Sequence, residues 1–306
     1  MVKFFRSCVM TKRPEVCILP VAGLSTRNLP ATKVLHKGFL TLHGKPIIQY
    51  AIDACAEIGI KEVIFIYSNQ SSKELFERYF SPYPWLEEHL RKSNKLDLLE
   101  KVQAVIPKGM KFSFAEQAEP KGNGHAVLMA KELVGDRDFI VMWPDDVYVN
   151  VHKGKGILAQ LLDAYEQFGG MIDHVQEFPD EEMVRYGALV GAVREGRIVH
   201  AQGKIEKPSI DNLPSNYGSL GPYILPNEIM DILPEVQRGN NGEINLADAM
   251  GLAAVRGMKL TGVICDAMRF DCGTNDELEK ANLKLSLMQD PKLRSYCQEL
   301  LDTMFV

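Results

Sequence analysis

Three cations, Arg27, Lys33 and Lys37, fall within eleven positions of one loop that begins at Gly23. Arginine presents a fixed fork of donors and lysine a mobile point charge, so this set suits a phosphate chain. Gly23 lets a ligand approach the backbone closely. The same cations would also suit a solvated basic loop. The segment is neither G-x-x-x-x-G-K-[ST] nor G-x-G-x-x-G. A second group, Pro144-Asp145-Asp146, ends an apolar run. Magnesium takes oxygen ligands, usually one or two carboxylates completed by phosphates and water. Aspartate at such a place also serves as a cap or turn residue. Asp271-Cys272-Gly273 follows another apolar stretch and could supply a second carboxylate. In the segment KIEKP at 204–208, Glu206 could accept from sugar hydroxyls and Lys207 hold a sugar phosphate. Those residues also read as an alternating exposed strand. Gly122-Asn123-Gly124-His125 opens a helix, and helix N-termini favour anions and polar ligands. Gln117, just before it, could read a base edge. His125 reads as a structural contact, and the histidines form no H-x-x-x-H pair.

These residues need a scaffold. Residues 16–22 are a short apolar run followed by Gly23, the pattern of a buried parallel strand. That puts the cationic loop at the carboxyl edge of a sheet, where open α/β sheets bind ligands. Residues 45–59 place Ile47, Ile48, Ala51, Ile52, Cys55 and Ile58 at helical spacing, with Gly59 as the stop. Residues 61–68 form a second apolar strand, and strand–helix–strand implies a βαβ unit. Helices are expected at 71–80, 85–104, 123–133 and 156–168, and strands at 111–117 and 139–143. The first half is therefore a doubly wound, mostly parallel α/β sheet with helices on both faces. After Gly170 the texture changes. Short strands at 171–178, 187–193, 197–205 and 217–225 read as antiparallel ribbons decorating the parallel sheet. Helices at 227–233 and 244–255 and a last strand at 259–267 precede C-terminal helices at 275–289 and 291–302. The spacing of Leu285, Met288, Leu293, Tyr296, Leu300 and Met304 gives those helices an apolar face, for the domain or for another copy.

A chain of 306 residues suits one large α/β domain or a domain with an elaborated second half. Its net charge of −5 offers nucleic acid no general attraction, so an anionic ligand must be drawn by a local cluster. None of the six cysteines forms C-x-x-C, which argues against zinc. Cys17 and Cys55 lie in apolar stretches and read as reduced core thiols. Arg6 interrupts the apolar run near the N-terminus, and no stretch approaches the ~18 apolar residues of a membrane span. A cytoplasmic protein without membrane or nucleic-acid partners is expected.

In this order the motifs resemble those of the bacterial UTP–glucose-1-phosphate uridylyltransferases, also called UDP-glucose pyrophosphorylases. PVAGLSTRNLPATK at 20–33 is similar to that family's PVAGLGTRxLPATK. The likeness continues through Lys37, GKPIIQY at 44–50, the segment 122–127, Pro144-Asp145, Tyr186-Gly187, Glu206-Lys207-Pro208, the segment 242–248 and Asp271-Cys272-Gly273. It spans roughly 15–281, nearly the whole chain. The resemblance implies a Rossmann-like sheet of the nucleotide-diphospho-sugar transferase type and a homo-oligomer, dimer or tetramer. It divides the chain into an extension (1–14), a catalytic domain (15–274) with nucleotide half 15–150 and sugar half 151–274, and C-terminal helices (275–306). Ala22, Gly23, Gln117 and Gly122 would hold the base of the nucleoside triphosphate, and Arg27 and Lys37 its phosphates. Asp145 and Asp271 would bind Mg2+, and Gly187, Glu206 and Lys207 the sugar 1-phosphate. The implied reaction is in-line attack of a sugar-phosphate oxygen on the α-phosphorus, and no nucleophile–base pair in the sequence suggests a covalent intermediate. The chain departs from the family pattern at Ser25 (for Gly), at His36-Lys37-Gly38 (for Pro-Lys-Glu), at Pro222 (for Arg) and at Asn245 (for Gln). Two other readings stand beside UTP and glucose 1-phosphate. One is transfer with another sugar 1-phosphate or triphosphate; the other is a nucleotide-sugar-binding protein without catalysis.

Overall fold

The computed structural model describes residues 12–68, 73–150, 154–239 and 242–304. Most of the expected extension 1–14 lies outside them. The strands, in chain order, are β1 (Val16–Pro20), β2 (Thr41–Leu42), β3 (Lys45–Pro46), β4 (Glu62–Tyr67), β5 (Lys111–Glu116), β6 (Phe139–Val141), β7 (Asp146–Val149), β8 (Met171–Glu177), β9 (Gly187–Val190), β10 (Val193–Glu195), β11 (Ile198–Ala201), β12 (Gly203–Ile205), β13 (Tyr217–Leu225), β14 (Leu260–Val263) and β15 (Met268–Asp271). The α-helices are α1 (Ile47–Glu57), α2 (Lys73–Tyr79), α3 (Pro84–Lys92), α4 (Leu96–Gln103), α5 (Asn123–Leu128), α6 (Lys131–Val134), α7 (Ile157–Phe168), α8 (Asp180–Met183), α9 (Ile229–Ile232), α10 (Leu246–Val255), α11 (Asn275–Gln289) and α12 (Pro291–Met304).

Alternation along β1 explains how the sheet is covered twice. Val16 and Ile18 pack with α5, α9 and α10 on one face, while Cys17 and Leu19 pack with α1, α2 and α7 on the other. Successive side chains of a strand point to opposite faces, so a strand buried on both sides is apolar throughout. The main sheet runs β10-β11-β14-β8-β13-β6-β1-β4-β5, with β9 paired to β13 and β12 to β9. The pairs β6–β1, β1–β4, β4–β5 and β8–β14 are parallel. The sheet is mixed but mostly parallel: only β11 and β13 run against the other strands of that path.

The second half differs from its expected form. β8 and β13 are not ribbons laid on the sheet; they are central strands of it, and β13 is buried over nearly all its length. Asp173 and His174 in β8, and Gly218, Ser219 and Gly221 in β13, interrupt the continuous apolar run that marks a strand buried on both faces. The single helix expected at 85–104 is two, α3 and α4, broken at Asn94, whose φ of 53° is a left-handed turn that asparagine tolerates. The helix expected at 123–133 is likewise α5 and α6. β7 and β15 were not anticipated as strands. They pair antiparallel beside the main sheet, with Asp271 opposite Asp146. α11 packs Ala281 and Leu285 against Leu42, Ile47 and Phe270. α12 buries no residue fully; Leu293 and Leu300 are half-buried, and Tyr296, Leu301 and Met304 are exposed. Among the described residues no helix is long and apolar enough to cross a membrane.

Candidate active site

The cationic loop leaves β1 at the carboxyl edge of the sheet and tightens into 3-10 turns at Thr26–Asn28, Ala31–Lys33 and Lys37–Phe39. Ser25 starts the first turn at φ 54°, ψ 30°, a left-handed conformation that glycine adopts more easily. That conformation accounts for a glycine at this place in the resembling family. Thr32 Oγ1 donates to the Ser25 carbonyl at 2.7 Å, which closes the loop on itself. The other departure within this loop, His36 with Gly38, is a matched pair. The Gly38 N–H donates to His36 Nδ1 at 3.0 Å, and a Cβ on residue 38 would lie 3.2 Å from that nitrogen. Burial, then Lys37, pushes the His36 imidazole down to about 4, so it stays neutral.

Lys37 Nζ lies 2.6 Å from Asp145 Oδ2. Arg27, Asp145 and Asp271 converge over Gly273: a Cβ there would sit 3.0 Å from Asp271 Oδ1, 3.3 Å from Arg27 Nη2 and 3.5 Å from Asp145 Oδ2. The main chain braces this cluster, because the Cys272 N–H donates to the Asp145 carbonyl and the Gly273 N–H to Asp271 Oδ1. Burial would raise the Asp145 carboxyl, but Lys37 and Arg27 outweigh it and hold the group below its usual range. Lys33 is exposed and forms no ion pair among the described residues, so the structure brings together two of the three loop cations.

Arg269, missed in the sequence, completes the cluster together with Asp146, which the sequence offered beside Asp145 without a separate role. Arg269 Nη2 lies 2.6 Å from Asp146 Oδ1 and 3.1 Å from Asp271 Oδ2. Burial pushes Asp146 up to about 7 against the pull of Arg269, with Asp145 and Asp271 adding repulsion. The signal was present: Arg269 lies two positions before Asp271, on the same side of a strand. It was lost because 268–271 was not recognised as a strand.

Gln117 follows β5 and is 5% exposed; its Nε2 lies 3.0 Å from both the Gly122 carbonyl and His125 Nδ1. The amide N–H donates to both, so His125 orients Gln117. Gly122 and Gly124 let α5 dock on residues 244–246, and a Cβ at Gly122 would lie 2.5 Å from the Ile244 carbonyl. Ala22 is half-buried and Gly23 exposed, with open space where a Cβ would point.

A cavity of about 140 Å³ lies next to the carboxylates, with Asp146, Tyr186, Gly187, Glu206, Tyr223 and Arg269 in its wall. Antiparallel pairing of β9 with β12 brings Glu206 beside Gly187, where a Cβ would meet Glu206 Oε2 at 3.3 Å. Lys207 is exposed at φ 44°, its ammonium 3.8 Å from Glu206 Oε1. A larger cavity, about 790 Å³, is mostly apolar, is lined by Leu35, Phe39, Tyr79 and Leu86 among others, and contains none of the candidate residues. Of the candidate residues the small cavity has Gly187 and Glu206 in its wall, beside Asp146 and Arg269 of the carboxylate cluster.

A family model for nucleotidyl transferases matches residues 17–287. The UTP–glucose-1-phosphate uridylyltransferase of Bacillus subtilis is 37% identical over 284 residues, covering 92% of this chain and 94% of that protein. Its counterpart from Pseudomonas aeruginosa is 35% identical over 258 residues, 84% of this chain and 91% of that one. Among solved structures, a UTP-bound UDP-glucose pyrophosphorylase from Acinetobacter baumannii superposes with a TM-score of 0.82 at 31% identity, covering 95% of this chain and 99% of that one. A UDP-glucose pyrophosphorylase complexed with UDP-glucose superposes at 0.80 with 30% identity, covering 90% and 100%.

Proposed function

The chain belongs to the nucleotidyl transferase family, among the UTP–glucose-1-phosphate uridylyltransferases, and from that membership we infer that it makes UDP-glucose and pyrophosphate from UTP and glucose 1-phosphate. The observation that carries the reading is the convergence of Arg27, Asp145 and Asp271 over Gly273, with Lys37 on Asp145. Gln117 and Gly122 hold the base, and Ala22 and Gly23 leave room beside it. Arg27 and Lys37 neutralise the triphosphate. Glu206 faces the sugar beside Gly187, and Lys207 takes the sugar's phosphate. One oxygen of that phosphate forms a new bond to the α-phosphorus. The bond from the α-phosphorus to the bridging oxygen breaks, and pyrophosphate leaves with that electron pair. Positioning and charge neutralisation carry such a transfer.

Mg2+ fits the donors present. Among the described residues no group of three or more metal-binding side chains occurs, so a closed protein cage is not formed. Two converging carboxylates, Asp145 and Asp271, suit an ion that keeps waters and takes its remaining ligands from phosphates. Bound there, Mg2+ would supply charge neutralisation for the triphosphate and the leaving pyrophosphate. Free cysteines at Cys17, Cys55, Cys265, Cys272 and Cys297 support a reducing, cytoplasmic setting. The exposed Tyr296, Leu301 and Met304 of α12 support a homo-oligomer.

The test is pyrophosphate release with glucose 1-phosphate and Mg2+ across the four common nucleoside triphosphates. UTP should give the highest kcat/KM. No release with any sugar phosphate, alongside measurable UDP-glucose binding, would convert the protein to a sensor; release with another triphosphate alone would reassign its base site.

A further inference from the structure

Beneath the small cavity lies a polar network that the reaction, as derived above, does not use. Lys204 on β12 and Asp173 on β8 are an ion pair with side chains 1% and 0% exposed. Lys204 Nζ donates to Asp173 Oδ2 at 2.9 Å, and Ser219 Oγ donates to Asp173 Oδ1 at 2.9 Å. Ser219 Oγ also lies 3.2 Å from Tyr223 Oη, and the Trp143 indole N–H is hydrogen-bonded to the same phenol. Trp143, Ser219 and Tyr223 all line the cavity. The Lys204 ammonium lies 4.5 Å from the centre of the Tyr223 ring.

A buried ion pair is a poor stabiliser. Desolvating two charges costs several kcal/mol each, and apolar side chains of similar size do as well or better. The pair here has a different consequence, which follows from counting protons. An ionised carboxylate only accepts, so Asp173 takes the one proton that Ser219 can give. Ser219 must then accept from the Tyr223 phenol. Burial raises that phenol above its ordinary value, so its proton is retained. The indole N–H only donates. Every proton in the chain therefore points toward Asp173. Tyr223, a wall residue of the cavity, has then given its proton to Ser219 and taken the Trp143 N–H, so its one remaining lone pair can only accept.

We propose that Tyr223 is a sugar-specificity residue, and that its phenolic oxygen, made an obligate acceptor by Asp173 and Ser219, takes a hydrogen bond from one hydroxyl of the bound sugar ring. Lys204 and Asp173 are positioning residues that act through Ser219. The ligand is accordingly a monosaccharide with a hydrogen-bond donor at that ring position. Analogues bearing hydrogen, fluorine or methoxy there are rejected, since none donates. This rests on the sugar-nucleotide reading above.

The experiment measures calorimetric Kd for UDP-glucose and its 2-, 3-, 4- and 6-deoxy and deoxyfluoro analogues, and kcat/KM for the matching sugar 1-phosphates. In the wild type, one ring position should lose about 10–100-fold with deoxy and deoxyfluoro analogues alike. In Tyr223→Phe the parent sugar should fall to that level, the analogues at that position should fall no further, and the KM for UTP should stay unchanged. Asp173→Asn strands a buried lysine and so invites misfolding, whereas the double variant Asp173→Val with Lys204→Met removes both charges. The double variant should fold with an unchanged or higher Tm and lose discrimination at that same position at least about threefold, because Ser219 is free to turn. Equal analogue penalties in wild type and Tyr223→Phe would overturn the proposal, as would full discrimination in the double variant. Tight UDP-glucose binding without turnover would overturn the catalytic reading and leave this contact testable by the same Kd series.

Discussion

Replacing Asp145 by alanine separates the metal assignment from a structural role. Asp145 is one of two carboxylates converging over Gly273, and its direct partner is Lys37 at 2.6 Å. Their side chains are 22% and 17% exposed, so the pair is neither fully screened nor fully buried. Discounted for that exposure, it is worth about 1–2 kcal/mol. Its removal also relieves the repulsion that helps to push Asp146 up to about 7. The stability loss should therefore stay below ~2 kcal/mol, a fall in Tm of a few degrees for a chain of this size. The effect on turnover is much larger. Arg27, Lys37 and Arg269 face Asp145, Asp146 and Asp271, and removing one carboxylate leaves the cluster with an extra positive charge. UTP should bind as well or better, because Lys37 is freed for phosphate. Without one of its two proposed protein ligands, Mg2+ would no longer be held in register, and kcat should fall about a thousandfold, ~4 kcal/mol. Steady-state pyrophosphate release over a Mg2+ titration, beside a thermal melt, reads both quantities. Retention of turnover within tenfold of wild type, with unchanged Mg2+ dependence, would refute the assignment. A collapse of Tm would show that Asp145 is chiefly structural.

Three further outcomes are expected. Lys207→Ala should raise the KM for glucose 1-phosphate about 10–100-fold and leave kcat and Tm nearly unchanged, since its ammonium is exposed and makes only a 3.8 Å contact with Glu206; an unchanged KM would remove Lys207 from the sugar-phosphate site. Gly122→Ala places a Cβ 2.5 Å from the Ile244 carbonyl at a φ of 110°, so a denaturant midpoint should report more than ~2 kcal/mol lost, together with weakened UTP binding. His174, whose Nδ1 donates to the Gly221 carbonyl at 2.9 Å, is pushed down to about 4 by burial. Its folded value lies below the ordinary 6.5, so its contribution is complete above pH 6.5 and lost as pH falls toward 4, on the order of 3 kcal/mol. His174→Asn should flatten that part of the acid-stability profile, and an unchanged profile between pH 6.5 and 4 would count against this account.

Local rules made much of this molecule legible before any coordinates. The apolar run into Gly23, the helical spacing of Ile48, Ala51, Ile52 and Cys55, and the strand at 61–68 specify a βαβ unit, because each pattern has one way to bury its side chains. From that unit the edge of the sheet carrying Arg27 and Lys37 follows. Motif order pointed to the same chemistry. Long-range pairing was not legible. β13 reads as one more short apolar strand, yet it lies antiparallel between β6 and β8, and its partners are far away in sequence. β7 and β15 are four residues each, too short for a periodic signal.

The sequence by itself determined the cationic loop, the carboxylates that follow apolar runs, and the strands that hold them, since these depend on residue types within a few positions. Only the tertiary structure decided which of those groups meet. The Asp271–Asp146 register of β15 and β7 put Arg269 between two carboxylates, while the turn Ala31–Lys33 leaves Lys33 exposed. Folding β8, β12 and β13 together drew Asp173, Lys204 and Ser219 to the small cavity. No local pattern encodes that arrangement, because the direction of a hydrogen bond depends on a partner dozens of residues away.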